Sequence, residues 1–526
     1  MIYGPRDINS DVRRSADVAV IGSGAGGGPI AKELSEAGYS VVVLEEGAHY
    51  TREDFNLDPV DSFVKMYRDA GQTLTLGVPS ILLPLGKTVG GTTTINSGTA
   101  LRMPRQVLKK WQLVHGLRDI TEEELNLLYA HLEEYLYVKR ADPEVAGKVA
   151  QTFLTGAQKL GLSAGWLPRN AKDCEGYGSC VFGCPNDSKQ SVNLTFIPDA
   201  VRNGADVYTC CRVEKIKLEN GKATGVQGIF LDPQTGKKRY DLDVNARVVV
   251  LAAGAVYSPY FLLRQGICNS SGQVGKNLQI HPAVQTVALF DRPLDPPKGI
   301  PQACYVDDFR EEGIMLEGGT VPPEIHALAL PFTGKKHVQL MKNYPRMGIF
   351  GGMVSDTASW GRVVNVPRAG WRPTMFYMLR GKDVEKAKFA VSLMAQIWFA
   401  SGAQKVITPI VGHYEIRGPS DLRRLERSVL SAKDFYAMSA YHPLGTCRMG
   451  DDPEWSVVKS TGETWDVENL YICDGSVLPS SPGVNPQLTI MALAIRCAGF
   501  IDERLSGNGS SGLSFISGKE GQQRVK

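Results

Sequence analysis

Three glycines near the amino terminus have the spacing of a phosphate-binding turn. Gly22, Gly24 and Gly27 form a G-x-G-x-x-G motif directly after the apolar run DVAVIG. A helix-like segment and a second apolar run, YSVVVLEEG, follow, which is the strand–turn–helix–strand context that the motif needs. Glycines there let the backbone turn sharply and approach a pyrophosphate at a helix amino terminus. The sequence therefore predicts a dinucleotide-binding unit.

An acidic side chain at the end of the second run is the expected partner of the adenosine ribose hydroxyls. Glu45 is the first candidate for that contact, and Glu46 is the alternative. Because the motif does not separate a nicotinamide dinucleotide from a flavin dinucleotide, the residues alone leave the cofactor open between these two.

Cys174, Cys180 and Cys184 lie close together in DCEGYGSCVFGCPNDSKQS, with glycines between them that give the backbone freedom to wrap a small inorganic core. Thiolates hold iron–sulfur clusters, and three ligands fit a three-iron, four-sulfur cluster (3Fe-4S). A zinc site is a weaker interpretation, because no fourth Cys or His lies at the usual spacing. The third interpretation is a purely structural loop over residues 174–184.

A second glycine-rich loop, GKTVGGTTTINSG at residues 86–98, contains Gly91 and Asn96. Taken by itself, this segment predicts either a loop that contacts the cofactor or a Thr-rich turn that precedes a strand.

Polar positions near the carboxyl terminus lie in loops between apolar runs. A strand-like run ends in Asp474 and Gly475, and a Pro-rich loop leads from there to Asn485. His442 lies upstream in YHPLGTCRMG, where Pro and Gly constrain the loop. These loops hold the remaining candidate site residues.

Composition and charge exclude several classes of protein. The 526 residues include 56 glycines, but no G-x-y repeat runs along the chain, so collagen-like and disordered classes are excluded. Lys plus Arg total 58 and Asp plus Glu total 55, without a basic stripe, which predicts no nucleic-acid partner. No apolar run approaches the ~18 residues of a membrane span, so no transmembrane segment is predicted.

The start of the chain shows no apolar secretory segment, so the expected location is the cytoplasm by default. Export in complex with a signal-bearing partner is the alternative.

Taken together and in this order, these segments resemble the glucose–methanol–choline (GMC) family of flavoprotein oxidoreductases. VIGSGAGGGPIAKELSEAGYSVVVLEEG resembles the family's ADP-binding unit, and GKTVGGTTTINSG and GAVYSPYFLLRQGI resemble its two internal motifs. HPLGTCRMG and the DGS…VNP segment resemble its carboxyl-terminal active-site block. Within the family, the chain is most similar to bacterial relatives of long-chain alcohol oxidases.

The resemblance implies an α/β (mixed α+β) fold, in which a Rossmann-like FAD-binding domain is interleaved with a substrate-binding (cap) domain of antiparallel sheet plus helices. The FAD-binding domain is expected to comprise residues 1–105, 200–285 and 435–505. The substrate domain is expected to comprise residues 106–199, which include the Cys-rich loop 174–184, and residues 286–434. The polar, Gly- and Ser-rich residues 506–526 are expected to form a flexible tail.

The resemblance also implies non-covalent FAD, because Ile95 stands where some members of the family attach the flavin through a histidine. The matching cofactor-binding positions are Gly22, Gly24, Gly27, Glu45, Gly91, Asn96, Val213, Asp474 and Gly475.

His442 and Asn485 match the family's catalytic pair. The resemblance implies that His442 is the base that takes the hydroxyl proton of an alcohol, while flavin N5 takes the hydride. Asn485 would orient the hydroxyl and steady the developing alkoxide, because a neutral amide both donates and accepts hydrogen bonds. His281 is interpreted as structural.

The expected substrate is a small-molecule alcohol, oxidised to an aldehyde or ketone. Seven methionines between residues 315 and 394 favour an apolar or elongated alcohol. Glu317, Tyr344 and Trp360 are candidate pocket-lining residues.

Two alternatives accompany this interpretation. In one, a dehydrogenase relays electrons through a cluster on the three cysteines to a quinone, a cytochrome or a small subunit. In the other, a lyase or decarboxylase keeps FAD on the same fold.

Overall fold

A computed structural model describes residues 1–367 and 370–507 of the chain. Residues 508–526, which hold most of the predicted tail, lie outside the described residues. The last helix includes Ser506, so the helical part of the chain extends slightly further than the sequence predicts.

Within residues 1–367 and 370–507 there are 21 strands and thirteen α-helices. The strands are β1 (Ile2–Tyr3), β2 (Val12–Ile21), β3 (Val41–Leu44), β4 (Ile81–Leu82), β5 (Val138–Arg140), β6 (Ala164–Trp166), β7 (Pro168–Asn170), β8 (Asp206–Tyr208), β9 (Cys211–Glu219), β10 (Lys222–Leu231), β11 (Lys238–Leu251), β12 (Ala283–Leu289), β13 (Cys304–Val306), β14 (Ile314–Gly319), β15 (Met347–Val354), β16 (Trp360–Val364), β17 (Thr374–Met378), β18 (Lys405–Ile407), β19 (Glu415–Ile416), β20 (Met438–Ser439) and β21 (Leu470–Ile472). The helices are α1 (Gly27–Glu36), α2 (Pro59–Met66), α3 (Thr92–Ile95), α4 (Arg105–Val114), α5 (Glu122–Tyr135), α6 (Lys148–Lys159), α7 (Phe196–Arg202), α8 (Gly254–Gln265), α9 (Pro323–Ala329), α10 (Gly334–Met341), α11 (Lys382–Ala400), α12 (Pro419–Arg427) and α13 (Gln487–Ser506).

The first large sheet is mostly parallel and has the order β1-β8-β3-β2-β11-β10-β9, with β21 paired to β11. The inner strands end in apolar, β-branched runs that are buried on both faces, as helix-covered parallel strands require. Ile21, Leu44, Leu251 and Ile472 pair in register at the carboxyl ends of four parallel strands. The loops that follow these four residues therefore meet at one edge of the sheet.

The second large sheet has the order β19-β18-β12-β15-β14-β13-β6, with every pair along this path antiparallel. The long helix α11 packs against β12 and β15, and α6 packs against α11. In the β14–β15 ladder, Glu317 pairs with Gly351. Because Gly351 has no side chain, nothing on β15 stands directly opposite the Glu317 side chain.

These two sheets confirm the expected fold class, a Rossmann-like parallel sheet combined with an antiparallel sheet and helices. The residue bounds of the two domains stay a prediction. Helix α5, which the prediction assigns to the substrate domain, packs against α13 in the apolar core of the first sheet. Among the described residues, no helix is both long and apolar enough to cross a bilayer.

Candidate active site

A cavity of about 830 Å³ reaches from the carboxyl edge of the first sheet to β14 and β15 of the second. It brings together most of the residues predicted to form the site. The predicted residues that line it are Gly22, Gly24, Glu45, Gly91, Asn96, Val213, His442, Asp474, Gly475 and Asn485. Gly27 is the predicted cofactor residue that does not line it.

The three glycines of the first motif have different surroundings. Gly22 has φ +96°, and a Cβ atom there would lie 2.4 Å from the carbonyl oxygen of Ala252. A Cβ atom on Gly27 would lie 2.0 Å from the carbonyl oxygen of Gly22, so Gly27 permits close packing of α1 on the turn. At Gly24 the nearest atom would be 3.8 Å away. The motif therefore leaves its open surface at Gly24.

The second glycine-rich loop faces this opening. Gly91 has φ +54°, and a Cβ atom there would lie 3.0 Å from Gly24 Cα. Asn96 Nδ2 donates to Gln487 Oε1 at 2.8 Å, and Asn96 Oδ1 accepts from the backbone N–H of Gly98 at 2.9 Å. The two glycine loops thus approach each other across the cavity with backbone rather than side chains.

Glu45 and Glu46 differ in their partners. Glu45 is 6% exposed and accepts hydrogen bonds from the N–H and hydroxyl of Ser23 and from the N–H of Gly47. Burial nevertheless raises the pKa of Glu45 above its ordinary value. Glu46 forms an ion pair with Arg68 at 2.8 Å, and although burial opposes it, this cation holds the pKa of Glu46 below its ordinary value. The contact of Glu45 with a ribose stays a prediction.

Asp474 is tied to the two segments beside it. Its Oδ2 accepts from the N–H of Gly254 at 2.8 Å and from the hydroxyl of Ser258 at 2.5 Å, and its Oδ1 accepts from the N–H of Ser476 at 2.7 Å. Val213 lies where the β9–β10 ladder shifts register, so a bulge marks the strand beside the cavity.

These features fit a dinucleotide. Helix α1 starts at the cavity edge with no acidic residue in its first turn and no side-chain cap, so its amino-terminal N–H groups can receive a phosphate. Ile95 offers no nucleophile for a covalent bond to a flavin.

At the other end of the cavity, His442 contacts two side chains. Its Nδ1 lies 3.1 Å from Nδ1 of His281, and its Nε2 lies 3.4 Å from Nδ2 of Asn485. Nε2 of His281 in turn contacts the hydroxyl of Ser481. Burial lowers the pKa of His442 to about 4, so its imidazole is neutral at neutral pH. We refer to the part of the cavity around His442, Asn485 and Glu317 as the reaction end, and to the part lined by the two glycine loops as the cofactor end.

The amide nitrogen of Asn485 fixes the tautomers along this row. Asn485 Nδ2 can only donate, so His442 Nε2 accepts and carries no proton. The proton of neutral His442 then lies on Nδ1 and is donated to His281 Nδ1. His281 therefore carries its own proton on Nε2, toward Ser481. The unprotonated nitrogen of His442 lies on the side of the ring where Asn485 lines the cavity.

His281, which the sequence interprets as structural, contacts His442 at the reaction end. It is buried, lines the cavity and has φ +52°, a left-handed conformation that is unfavourable for a side chain with Cβ. Burial and the neighbouring His442 hold the pKa of His281 well below its ordinary value. Its sequence setting, NLQIHP, gives no local signal of this contact.

Glu317 is the buried acidic group of the reaction end. Its Oε1 accepts from Asn485 Nδ2 at 3.1 Å and from Gln302 Nε2 at 2.9 Å. Burial raises the pKa of Glu317 to about 7. Of the three pocket-lining candidates, Glu317 lines the cavity, whereas Tyr344 and Trp360 do not. Of the seven methionines, Met353 is the member that lines it.

The Cys-rich loop does not form a cluster site. Arg169 donates to Cys174 Sγ at 3.8 Å and to Cys180 Sγ at 3.4 Å, and the backbone N–H of Lys189 donates to Cys184 Sγ at 3.4 Å. In the part of the chain that the structure describes, no three His, Cys, Asp or Glu side chains are placed to hold a metal ion. The residues present therefore do not fit the 3Fe-4S cluster or the zinc ion considered from the spacing.

The same loop is tied to the cofactor end by a buried lysine. Lys189 Nζ donates to three backbone carbonyls, two of them in the second glycine-rich loop and one on Cys180. These contacts favour the interpretation of residues 174–184 as a structural loop.

Comparisons with known proteins point to one family. Residues 63–283 and 361–494 match two family models that are both described as GMC oxidoreductase. An uncharacterized GMC-type oxidoreductase of Mycobacterium tuberculosis is 36% identical over 485 residues, which cover 92% of this chain and 75% of that protein. A long-chain-alcohol oxidase of Arabidopsis thaliana is 28% identical over 524 residues, which cover 94% of this chain and 68% of the relative.

Among solved structures, pyridoxine 4-oxidase from Mesorbium loti has the same fold. Its TM-score is 0.70 at 18% identity, and the match covers 95% of this chain and 100% of that chain.

Proposed function

Since the chain belongs to the GMC oxidoreductase family, a family of flavoproteins, we propose that it oxidises the CH–OH group of an alcohol to a carbonyl group with FAD. The observation that carries this proposal is the row Ser481–His281–His442–Asn485. It presents an unprotonated imidazole nitrogen beside an amide, at the end of a cavity that the two glycine loops line.

The residues proposed to hold FAD are those of the cofactor end. Gly24, Gly91 and the amino terminus of α1 would receive the pyrophosphate, and Glu45 would contact the adenosine ribose. Asp474 would lie by the ribityl chain. Bound FAD supplies the acceptor for the hydride that leaves the alcohol carbon.

The chain's own residues perform the proton step. His442 Nε2 takes the hydroxyl proton, and the buried setting keeps this nitrogen free of a proton before the substrate arrives. Asn485 Nδ2, which contacts His442 Nε2, would donate to the substrate oxygen in place of that nitrogen and steady the developing charge. His281 holds the ring of His442 by accepting a hydrogen bond from its Nδ1–H, so that Nε2 keeps facing the substrate.

The proposed substrate carries an apolar chain. Beyond Glu317 the cavity is lined mainly by apolar side chains, which include Val321, Ile325, Leu328, Ile349 and Met353. Because such a wall offers a hydrocarbon chain burial without a charged partner, it supports an apolar or elongated alcohol.

The test is the absorption spectrum of the purified protein during anaerobic addition of primary alcohols of increasing chain length. Loss of the flavin bands is expected, with a rate that rises with chain length. Flavin bands that no alcohol bleaches would contradict the proposal and would favour a lyase or decarboxylase. Admission of oxygen, or of a quinone or cytochrome, then identifies the acceptor by the return of the flavin bands.

A further inference from the structure

Two buried acceptor atoms at the reaction end have no hydrogen-bond partner among the residues that the structure describes. They are Oε2 of Glu317 and Oδ1 of Asn485. Both side chains line the cavity, and the two residues are only 8% and 6% exposed. Buried polar atoms are costly unless a donor reaches them, so these two favour a ligand that brings donors.

The surroundings of Glu317 offer its Oε2 no donor. Both amides that contact the carboxylate, on Gln302 and Asn485, donate to Oε1. Within the described part of the chain, no cation contacts this carboxylate. The free oxygen is therefore without a protein group that could neutralise or satisfy it.

Space for such a ligand lies directly beside the carboxylate. Gly351 is the partner of Glu317 in the β14–β15 ladder and lines the cavity. A Cβ atom on Gly351 would meet nothing closer than the backbone oxygen of Glu317 at 3.4 Å. A substrate carbon can thus lie next to Glu317 without displacing a side chain.

We infer that the substrate is a vicinal diol with an apolar chain, in which the hydroxyl next to the reacting one donates to Glu317; this rests on the proposed function. The amide of Asn485 lies between His442, which receives the reacting hydroxyl, and Glu317, which receives the neighbouring one. Asn485 Nδ2 lies 3.4 Å from His442 Nε2 and 3.1 Å from Glu317 Oε1. Hydroxyls on neighbouring carbons match this arrangement. A simple alcohol has one hydroxyl and leaves Glu317 without a donor.

The experiment compares three substrates with equal chains, namely 1-octanol, 1,2-octanediol and 2-amino-1-octanol. The measurement is kcat/KM for flavin reduction without oxygen at about pH 8, above the pKa of about 7 of Glu317, where this carboxylate is an acceptor. The diol is expected to exceed the simple alcohol by about tenfold or more, because a site built to pair a hydroxyl discriminates against the analogue that lacks it.

Each outcome bears on one proposal. Equal values for 1-octanol and 1,2-octanediol would overturn the diol inference and leave alcohol oxidation intact. A preference for the amino alcohol would also overturn it, since the second group would then be a cation. Failure of all three to reduce the flavin would instead count against the proposed function.

Variants test whether Glu317 causes the preference for the diol over the simple alcohol. Glu317→Met removes the acceptor and is expected to bring the diol-to-alcohol ratio to within about threefold of one. Glu312→Met makes the same chemical change at an exposed turn and should keep the ratio of the unmodified protein. Gly351→Ala leaves the carboxylate in place and fills the space beside it, so it should lower the ratio even where Glu317→Met does not fold. An unchanged ratio in either folded cavity variant would overturn the inference.

Discussion

The two ends of the cavity treat their buried carboxylates in opposite ways. At the cofactor end, both oxygens of Glu45 and of Asp474 accept hydrogen bonds from the protein itself. At the reaction end, Glu317 has one oxygen without a partner among the described residues, as does Asn485. The carboxylates of the cofactor end are satisfied by the fold alone, whereas the reaction end keeps acceptors free for a substrate.

This difference predicts that the two ends can be damaged separately. Changes at the reaction end should slow chemistry and leave FAD bound, and changes at the cofactor end should reduce FAD content and stability.

The largest expected effect is that of His442→Ala. Because the variant removes the proton acceptor, flavin reduction by an alcohol should slow by about 10³-fold, while FAD content stays that of the unmodified protein. Rapid-mixing absorbance measures the rate, and the ratio of flavin to protein absorbance measures the content. His337→Ala, on α10 and outside the cavity lining, is the matched control. A near-normal rate in His442→Ala would remove this residue from the role of base.

At the cofactor end, Gly22→Ala should cost about 3 kcal/mol of unfolding free energy, because the added Cβ meets the Ala252 carbonyl and the backbone has positive φ. FAD content should fall with it. Gly38→Ala separates the two causes, since Gly38 has φ +91° with nothing within 4 Å. Thermal unfolding and flavin absorbance give both quantities. If the two variants lose equal stability, the positive φ alone explains the loss and the contact with the Ala252 carbonyl contributes nothing.

The same contrast explains how far the sequence alone could predict the site. The cofactor end depends on motifs whose residues lie close together in the chain, so Gly22, Gly24 and Glu45 could be assigned to it from spacing and strand ends. The contact between Glu317 and Asn485 joins residues 168 positions apart, and only tertiary packing creates it.

For the cysteines of the loop 174–184, the local pattern included an iron–sulfur cluster among its interpretations, and the fold does not arrange the three thiols to hold one. Three thiols near glycines left a cluster, a zinc ion and a structural loop open as interpretations. Their spacing carries no information on Arg169, whose guanidinium donates to Cys174 and Cys180. Which groups surround a thiol is decided by packing, so the cluster interpretation could be tested only on the folded chain.

Next in size is the effect of His281→Ala at the reaction end. The variant removes the acceptor of the Nδ1 proton of His442, so the ring of His442 loses its orientation, and kcat should fall by about a hundredfold. His281→Asn, which keeps an acceptor, should recover part of the loss. The pH profile of kcat separates positioning from mere support of the fold, because freeing His442 from His281 alters its titration. Unchanged profiles and equal losses in both variants would assign His281 a structural role.

The smallest effect concerns stability, and it tests whether Glu317 is held without adequate partners. Burial raises its pKa from 4.5 to about 7, so between these values the folded protein keeps a proton that the unfolded chain has released. The free energy of unfolding therefore falls as pH rises through this window, by about 2 kcal/mol between pH 5 and 7. Glu317→Gln cannot titrate and should lack this part of the slope. Urea unfolding of both proteins at several pH values measures the difference, in which Asp356 and other titrating groups cancel. Parallel curves would mean that the folded protein does not keep a proton on Glu317 in this window, and Glu317 would then not be a carboxylate held without adequate partners.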